Sequence, residues 1–481
     1  MALKRDFLVR VSLLSAAGVF GVGIIIILIA LFVTKTFKPA QDSLANHIPA
    51  EDTVFFLRTR DKAQLHHIST AVARMVGMGS APAIATKADD SPALYEFAIV
   101  ATNSGKTLSW VSEVQLDAQE DAPAPPPTIA MSDELIAQVV RDTTKNKRAT
   151  LSRQSAYVPL QSEFNNTSWL LKTEAITSVS SDKASILLSS LVKQFSWCAM
   201  VTSENYGQFW LMDPDLRKLP DQTAIFPEEL DYVTRHPLLL MHINRSDAIA
   251  ELLAGAFSTH KPLSAGIAGI LTAQIQQALG SHVTTDEITP FFRSPVSLEI
   301  GTSESGSYLF ALRASGSEAD QTQLTETMKL DAAKGIIRHV EFSDNKRSDV
   351  MPSPTTQSPV AIGKWHIQYL EDTDLRGPLT VAQAGNEYVL GSSGSLVEAM
   401  IHDHWKGSIS YRPSATPIAA GLLDTGFVKA FVQARLPFLF DPSHPDTLLG
   451  FFAEPIVRLP SFLWSVESAE GSIILRWSTR L

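Results

Sequence analysis

Two short stretches of the sequence combine residue types that could do chemistry. Ser180 and Lys183 have the Ser-x-x-Lys spacing, which places a serine nucleophile one helical turn from a lysine base. The companion Lys-Thr-Gly motif is missing, and Ser180 and Ser181 precede an apolar helical run, so we interpret them as a helix cap. Residues 100–107 end in Gly-Lys-Thr, but valine replaces the first glycine of a phosphate-binding loop and no helix follows. That stretch predicts a hairpin turn.

A third stretch contains two histidines close together. His402 and His404 could supply two imidazoles to zinc, with His444 or Asp446 as further ligands. A zinc site needs three or four converging ligands, whereas this stretch follows an apolar helix, whose C-terminal end favours cationic histidine. We therefore interpret these residues as a helix end, and we predict no metal site and no cofactor.

Carboxylates and the cysteine are the remaining candidates for catalysis. Three carboxylate pairs could serve acid–base chemistry: Asp213 with Asp215, Glu228 with Glu229, and Glu371 with Asp372. They stand beside proline and other turn residues, which is typical of solvated loops. Cys198, the only cysteine, is flanked by Trp197 and Ala199 on a predicted strand, which favours a core residue over a nucleophile. We therefore assign no catalytic residue and predict that the protein is not an enzyme.

Composition limits the classes of function. The chain of 481 residues is 45 % apolar and 19 % charged, a globular balance that allows two or three domains. Its net charge of −10 argues against nucleic-acid binding, because phosphate recognition needs a basic face. A single cysteine excludes an internal disulfide.

The N-terminal region has the pattern of a membrane anchor. Residues 11–33 contain no charged side chain, and a helix of that length crosses a hydrocarbon core of roughly 30 Å. Basic residues are more frequent before this run than after it: Lys4, Arg5 and Arg10 against Lys35 and Lys38. This bias favours a cytoplasmic N-terminus. The run is also longer than the roughly 7–15 residues of a signal-peptide core, so we predict an uncleaved single-pass anchor in the cytoplasmic (inner) membrane.

The elements that would position any site recur along the exported part. We predict a cytoplasmic tail (1–10), the membrane helix (11–33), a stalk (34–47), two modules (48–225 and 226–410) and a partial third module (411–481). Within the first module we predict a helix at 62–76, a hairpin at 94–101 and 107–114, and a strand pair at 169–179. The predicted fold class is α+β: duplicated modules of mostly antiparallel sheet with helices packed on one face, the other face being wet.

Three phrases in the sequence are similar to a known family. They are IPAEDTVFFLRTRD at 48–61, LTVAQAGNEYVLGSSGSLVEAMI at 379–401 and its counterpart SWLLKTEAITSVSSDKASILLSSLV at 168–192. They resemble the bacterial membrane-anchored proteins grouped as domain-of-unknown-function family 3352. The entry Pro49-Ala50-Glu51-Asp52 is one residue longer than that family's usual Pro-Ala-Asp. The resemblance implies a bacterial envelope setting, and it carries over no activity and no functional residues.

Three functions stay open at this point. The first is a non-enzymatic interaction or scaffold module, tethered to the membrane and facing the periplasm, that binds another envelope protein. The second is a lipid or apolar-ligand binding protein, because the C-terminal region is rich in phenylalanine: Phe427, Phe431, Phe438, Phe440, Phe451, Phe452 and Phe462. The third is a hydrolase whose site is assembled from residues far apart in the sequence.

Overall fold

The computed structural model describes most of the chain after residue 42. The described residues are 43–78, 93–102, 107–116, 128–146, 149–157, 160, 167–177, 183–213, 229–244, 269, 272–273, 276, 279, 282–293, 295–334, 338–341, 347–350, 360–370, 379–410, 417–435, 456, 459–469 and 471–479. The predicted tail (1–10) and membrane segment (11–33) lie outside them. No helix in these ranges is long and apolar enough to cross a membrane.

Strands dominate the described part of the chain. They are β1 (Thr53–Thr59), β2 (Ala93–Thr102), β3 (Thr107–Leu116), β4 (Thr128–Met131), β5 (Thr167–Lys172), β6 (Trp197–Thr202), β7 (Tyr206–Met212), β8 (Glu229–Tyr232), β9 (His236–Ile243), β10 (Val296–Thr302), β11 (Tyr308–Ser315), β12 (Arg338–Glu341), β13 (Arg347–Val350), β14 (Val360–Ile362), β15 (Trp365–Leu370), β16 (Leu379–Ala384), β17 (Glu387–Gly391), β18 (Gly407–Ser410), β19 (Pro417–Asp424), β20 (Ser461–Ala469) and β21 (Ser472–Thr479).

Helices connect or cover these strands. They are α1 (Lys62–Met75), α2 (Glu134–Asn146), α3 (Lys183–Val192), α4 (Thr285–Ile288), α5 (Glu318–Lys334), α6 (Gly394–Ile401) and α7 (Thr425–Arg435). Local chemistry explains the start of α1: the Asp61 carboxylate accepts hydrogen bonds from the backbone N–H groups of Ala63 and Gln64. Leu65 and Val72, seven residues apart, then lie on its buried face.

Seventeen strands form one antiparallel sheet. Its spatial order is β4-β3-β2-β1-β5-β6-β7-β21-β20-β19-β9-β10-β11-β17-β16-β15-β14. A strand followed by a hairpin recurs three times, as β1 with β2–β3, β9 with β10–β11, and β19 with β20–β21. The last two of these units meet in the middle of the sheet, because β9 pairs with β19.

The predicted α+β fold class, with duplicated modules and helices on one face, is wrong. Of the described residues, 47 % lie in strands and 32 % in helices, and the main sheet is continuous. It passes through all three predicted modules because β19 pairs with β9 as well as β20, and β21 pairs with β7. These contacts are long-range, and the local patterns that define strands and helices do not specify them.

Helices cover both faces of the sheet, whereas the sequence predicted helices on one face only. Phe55 and Leu57 of β1 mark the first face, where they pack against α1 through Leu65. Phe56 marks the second face, where it belongs to the same core as Ile136 of α2. All seven residues of β1 are buried. A strand covered on both faces is apolar nearly throughout, which is why this segment does not alternate.

Two local predictions of the first module have different outcomes. The hairpin at 94–101 and 107–114 is confirmed, since β2 and β3 pair from Ala93 opposite Leu116 to Thr102 opposite Thr107. The strand pair at 169–179 is wrong, because β5 ends at Lys172 and a 3₁₀ turn (Thr173–Ala175) follows. The Thr173 hydroxyl donates to the carbonyl of Phe195, which holds the chain in this turn.

Candidate functional site

A row of directly opposed residues connects the two halves of the second face. In order across the sheet it is Arg58, Ser168, Val201, Gln208, Arg476, Ser465, Ala420, His242, Ser297 and Arg313. Residues opposite each other on neighbouring antiparallel strands point to the same face. The row thus places polar and charged side chains on the second face, and both sites described below lie on it.

The first site is a buried ion pair between β1 and β2. Arg58 and Glu96 stand opposite each other and are 3 % and 1 % exposed. Arg58 Nε donates to Glu96 Oε1 at 2.7 Å, and Arg58 Nη2 donates to the hydroxyl oxygens of Ser43 at 2.9 Å and Tyr157 at 3.1 Å. Burial is the largest influence on the pKa of Arg58 and would lower it, but the charge of Glu96, the phenol of Tyr157, the hydrogen bond to Glu96 and the charge of Glu113 together raise it.

The Glu96 carboxylate also fastens the segment that precedes β1. We call residues 43–48 the strap. The Leu44 backbone N–H donates to Glu96 Oε2 at 2.6 Å, and the Ser43 hydroxyl donates to Oε1 at 2.9 Å. Leu44, Ala45 and Ile48 are fully buried in the core of the second face. This part of the range predicted as a stalk is therefore packed into the sheet.

The second site is built on an equivalent carboxylate. Glu299 lies on β10, the first strand of its hairpin, as Glu96 lies on β2, and it is 1 % exposed. Its oxygens accept hydrogen bonds from the backbone N–H groups of Val233, at 2.9 Å, and Thr234, at 2.7 Å. These residues immediately precede β9, so both carboxylates hold the segment before the first strand of their unit.

A cavity of about 320 Å³, which we call the notch, lies beside Glu299. Leu240, Met400 and Trp405 give it an apolar floor. One wall is the flap, a two-stranded ribbon of β8 and β18. The flap is held on the sheet by Leu230 and Ile409, which pack in one small core with Leu240. An isolated ribbon of two strands is marginally stable in water, so these contacts and the Glu299 hydrogen bonds position it.

The mouth of the notch is acidic. Glu229 and Asp231 project from β8 into its lining, and neither carboxylate forms an ion pair within the described ranges. Burial, followed by the like charges of Glu229 and Asp403, raises the pKa of Asp231. Arg313 also lines the notch, and its guanidinium lies 3.9 Å from Asp403 and 3.7 Å from Glu387.

Inside the notch, three polar side chains lie side by side. His242 Nδ1 is 2.7 Å from Ser297 Oγ, on the opposed position of the neighbouring strand. Arg313 stands opposite Ser297 on its other side. Burial lowers the pKa of His242, which favours its neutral form near pH 7.

The histidines predicted as a helix end follow α6. The rings of His402 and His404 lie 5.6 Å apart, and His402 caps the C-terminus of the helix. His444 and Asp446 lie outside the described residues. Within the part of the chain that the structure describes, no three His, Cys, Asp or Glu side chains converge in a way that could hold a metal ion.

The other sequence candidates are only partly within the described residues. Ser180, Ser181 and most partners of the carboxylate pairs lie outside, whereas Lys183 begins α3. Cys198 is fully buried on β6, and burial raises the pKa of its thiol, so the interpretation as a core residue is confirmed.

The phenylalanine-rich region is described in part. Phe462 is buried in the core of the first face, and the ring of Phe427 lies 5.9 Å from that of Tyr308. The residues at 438, 440, 451 and 452 lie outside the described ranges. A second cavity, of about 340 Å³, is lined by the aromatic residues Tyr206, Trp464 and Trp477 together with the charged residues Glu467 and Arg476. Lipid binding therefore stays a prediction.

Sequence patterns did not predict the roles of Arg58, Glu96, Glu299 and the pair of His242 with Ser297. A signal for the charged residues exists: each interrupts an apolar strand, as in TVFFLRT and ALYEFAIV. A charge in a strand buried on both faces requires a partner, so it predicts a buried pair or a carboxylate that accepts backbone N–H groups. No comparable signal joins His242 to Ser297, because only strand pairing brings them together.

Comparisons with known proteins give no identification. No protein-family model, no curated protein and no solved structure matches the chain. The similarity to family 3352 thus stays a prediction, and the function is argued from the geometry of the two sites.

Proposed function

We propose that this chain is a membrane-tethered interaction module that binds another protein of the bacterial envelope. Its N-terminus is cytoplasmic, residues 11–33 anchor it in the cytoplasmic membrane, and the sheet lies on the extracytoplasmic side. The apolar run at 11–33 and the excess of Lys and Arg before it support this placement.

The acidic mouth of the notch is the observation that carries the proposal. Glu229 and Asp231 lack an ion-pair partner in the described part of the chain, and burial, followed by the like charges of Glu229 and Asp403, raises the pKa of Asp231. A cationic group placed there would relieve this repulsion. The floor of Leu240, Met400 and Trp405 suits the aliphatic part of a lysine or arginine side chain. The proposed partner therefore presents a basic segment to the flap.

Electrostatic complementarity gives this binding a defined salt dependence. Exposed charges attract each other over about 8 Å at physiological ionic strength, and the attraction falls as salt is added. Since the contact is at the exposed mouth, we expect charge reversal and added salt to weaken the same complex.

The test is retention of a partner by the intact protein, purified from its native membrane in mild detergent. Mass spectrometry identifies stoichiometric partners of the wild type, of Asp231→Lys and of the control Glu304→Lys. Glu304 is exposed in the turn between β10 and β11, far along the strand from the notch. We expect the wild type and the control to retain the partner, and Asp231→Lys to lose it.

Two results would contradict the proposal. A wild type recovered as a bare monomer has no protein partner under these conditions, and one recovered with lipid alone supports the apolar-ligand alternative. Equal retention by Asp231→Lys and the wild type would mean that the partner binds elsewhere than at the notch.

A further inference from the structure

The arrangement of His242, Ser297 and Arg313 suggests chemistry in addition to binding. These residues occupy opposed positions on β9, β10 and β11, so their side chains project from the same face in one line. The Nδ1 of His242 and the Oγ of Ser297 are 2.7 Å apart, within the reach required of a base and a nucleophile. Arg313 is the cation on the far side of Ser297.

The surroundings suit each residue to one role. His242 and Ser297 are half-buried and line a cavity of about 320 Å³, which has room for a small molecule. Burial lowers the pKa of His242, so a neutral imidazole is available to accept a proton. Arg313 is about one-third exposed, and its ion pairs to Glu387 and Asp403 are long, at 3.7 and 3.9 Å.

We propose that the notch hydrolyses small carboxylic esters, with Ser297 as the nucleophile, His242 as the general base and Arg313 as the group that stabilises the oxyanion. This goes beyond the proposed binding function, and it departs from the expectation of a non-enzymatic module. It corresponds to the third function left open by the sequence, a hydrolase whose site is assembled from residues far apart in the chain.

The reaction proceeds in two balanced steps. Ser297 Oγ attacks the ester carbonyl carbon while His242 accepts the hydroxyl proton, and the negative oxygen of the tetrahedral intermediate faces the Arg313 guanidinium. The carbon–oxygen bond to the leaving alcohol breaks, and His242 returns the proton to that oxygen. A water molecule then attacks the acyl-serine carbonyl carbon while His242 accepts its proton. The bond from that carbon to Ser297 Oγ breaks, His242 returns the proton to Oγ, and a carboxylic acid leaves.

The binding and hydrolytic proposals fail separately. Binding depends on Glu229 and Asp231 at the mouth of the notch, whereas hydrolysis depends on the row beneath them. The two are measured separately on the wild type, because retention of a partner reports binding and covalent labelling of Ser297 reports the nucleophile.

A fluorophosphonate probe tests the nucleophile directly, because it forms a covalent bond to an activated serine. The intact protein in mild detergent is incubated with the probe, and the modified peptide is located by mass spectrometry. We expect labelling of Ser297, none in Ser297→Ala, and unchanged labelling in Ser305→Ala, a serine of the exposed β10–β11 turn. Loss of the base in His242→Gln should slow labelling about 10²–10⁴-fold.

The outcome that overturns the proposal does not depend on the folding of any variant. If the native wild type is labelled no faster than the same protein unfolded in urea, Ser297 is not activated. Labelling mapped to another serine, or equal labelling of Ser297→Ala, has the same meaning. We also expect the labelling rate of the wild type to fall when the pH is lowered below the ordinary pKa of histidine, which would support His242 as the base. A labelling rate that does not change with pH would count against this role.

Discussion

The sites at Glu96 and Glu299 share one arrangement of hydrogen bonds but differ in the residue that stands opposite the carboxylate. In both, a buried carboxylate on the first strand of a hairpin accepts hydrogen bonds from backbone N–H groups of the segment before the unit's first strand. The residue opposite Glu96 is Arg58, whereas the residue opposite Glu299 is Leu240. The first carboxylate thus has a cationic partner, whereas the hydrogen bonds to Glu299 come from the backbone N–H groups of Val233 and Thr234.

The opposed residue is what separates a structural site from a candidate functional site. Arg58 lies beside Glu96 and also bonds to Ser43 and Tyr157, so the strap is fastened to both members of the ion pair. Leu240 is shorter and uncharged, and it becomes the floor of the notch. A buried carboxylate that lacks a cation leaves both space and negative potential for something else to use.

The largest expected effect is at the first site. Glu96→Ala leaves the Arg58 charge buried without its partner, which costs about 3–5 kcal/mol. We expect the strap to detach, and hydrogen exchange of the backbone amides of residues 43–48 to accelerate by at least about 10²-fold. Mass spectrometry of peptides covering the strap checks this, and a strap that stays protected would show that the ion pair does not hold it.

A smaller effect is expected from Glu299→Ala. This change orphans the N–H groups of Val233 and Thr234 but leaves no buried charge, so it costs about 1–3 kcal/mol. Exchange should accelerate in peptides covering β8 and remain unchanged in the strap. If both variants lose equal stability in parallel urea titrations, the contrast between the two sites is wrong.

Tyr157→Phe examines one hydrogen bond of the first site. The phenol oxygen accepts from Arg58, while the ring packs edge-on against Phe56 with centroids 5.4 Å apart, a contact that phenylalanine preserves. We expect a loss of about 1 kcal/mol in the free energy of unfolding. A loss as large as that of Glu96→Ala would mean that the ring position, rather than the ion pair, organises the network.

The smallest effect concerns the charge at the notch. Because the pKa of Asp231 is raised in the folded protein, the folded state binds its proton more tightly than the unfolded state does. Ionisation at this position therefore costs stability, and the cost is removed as pH falls through the raised pKa. We expect Asp231→Asn to melt slightly higher than the wild type at pH 7, with the difference vanishing below about pH 3.9. A lower melting temperature at pH 7 would contradict the assigned repulsion.

Local predictions succeeded where short-range pattern decides the structure. The helix predicted at 62–76 is α1, and the hairpin predicted at 94–101 and 107–114 is formed by β2 and β3. The prediction of a wet face failed, since β1 and β2 are buried on both sides. A nearly continuous apolar strand indicates burial on two faces, and TVFFLRT contains that signal.

By itself, the sequence determined the β2–β3 hairpin, the helix α1 and the presence of charged residues in apolar strands, because turn chemistry and periodicity act over a few residues. Only the tertiary structure decided that β9 pairs with β19, and that Ser297 lies between His242 and Arg313. Strand pairing joins distant residues through backbone hydrogen bonds that nearly any side chain permits. The choice of partner therefore depends on which packing buries the most apolar surface over the whole sheet.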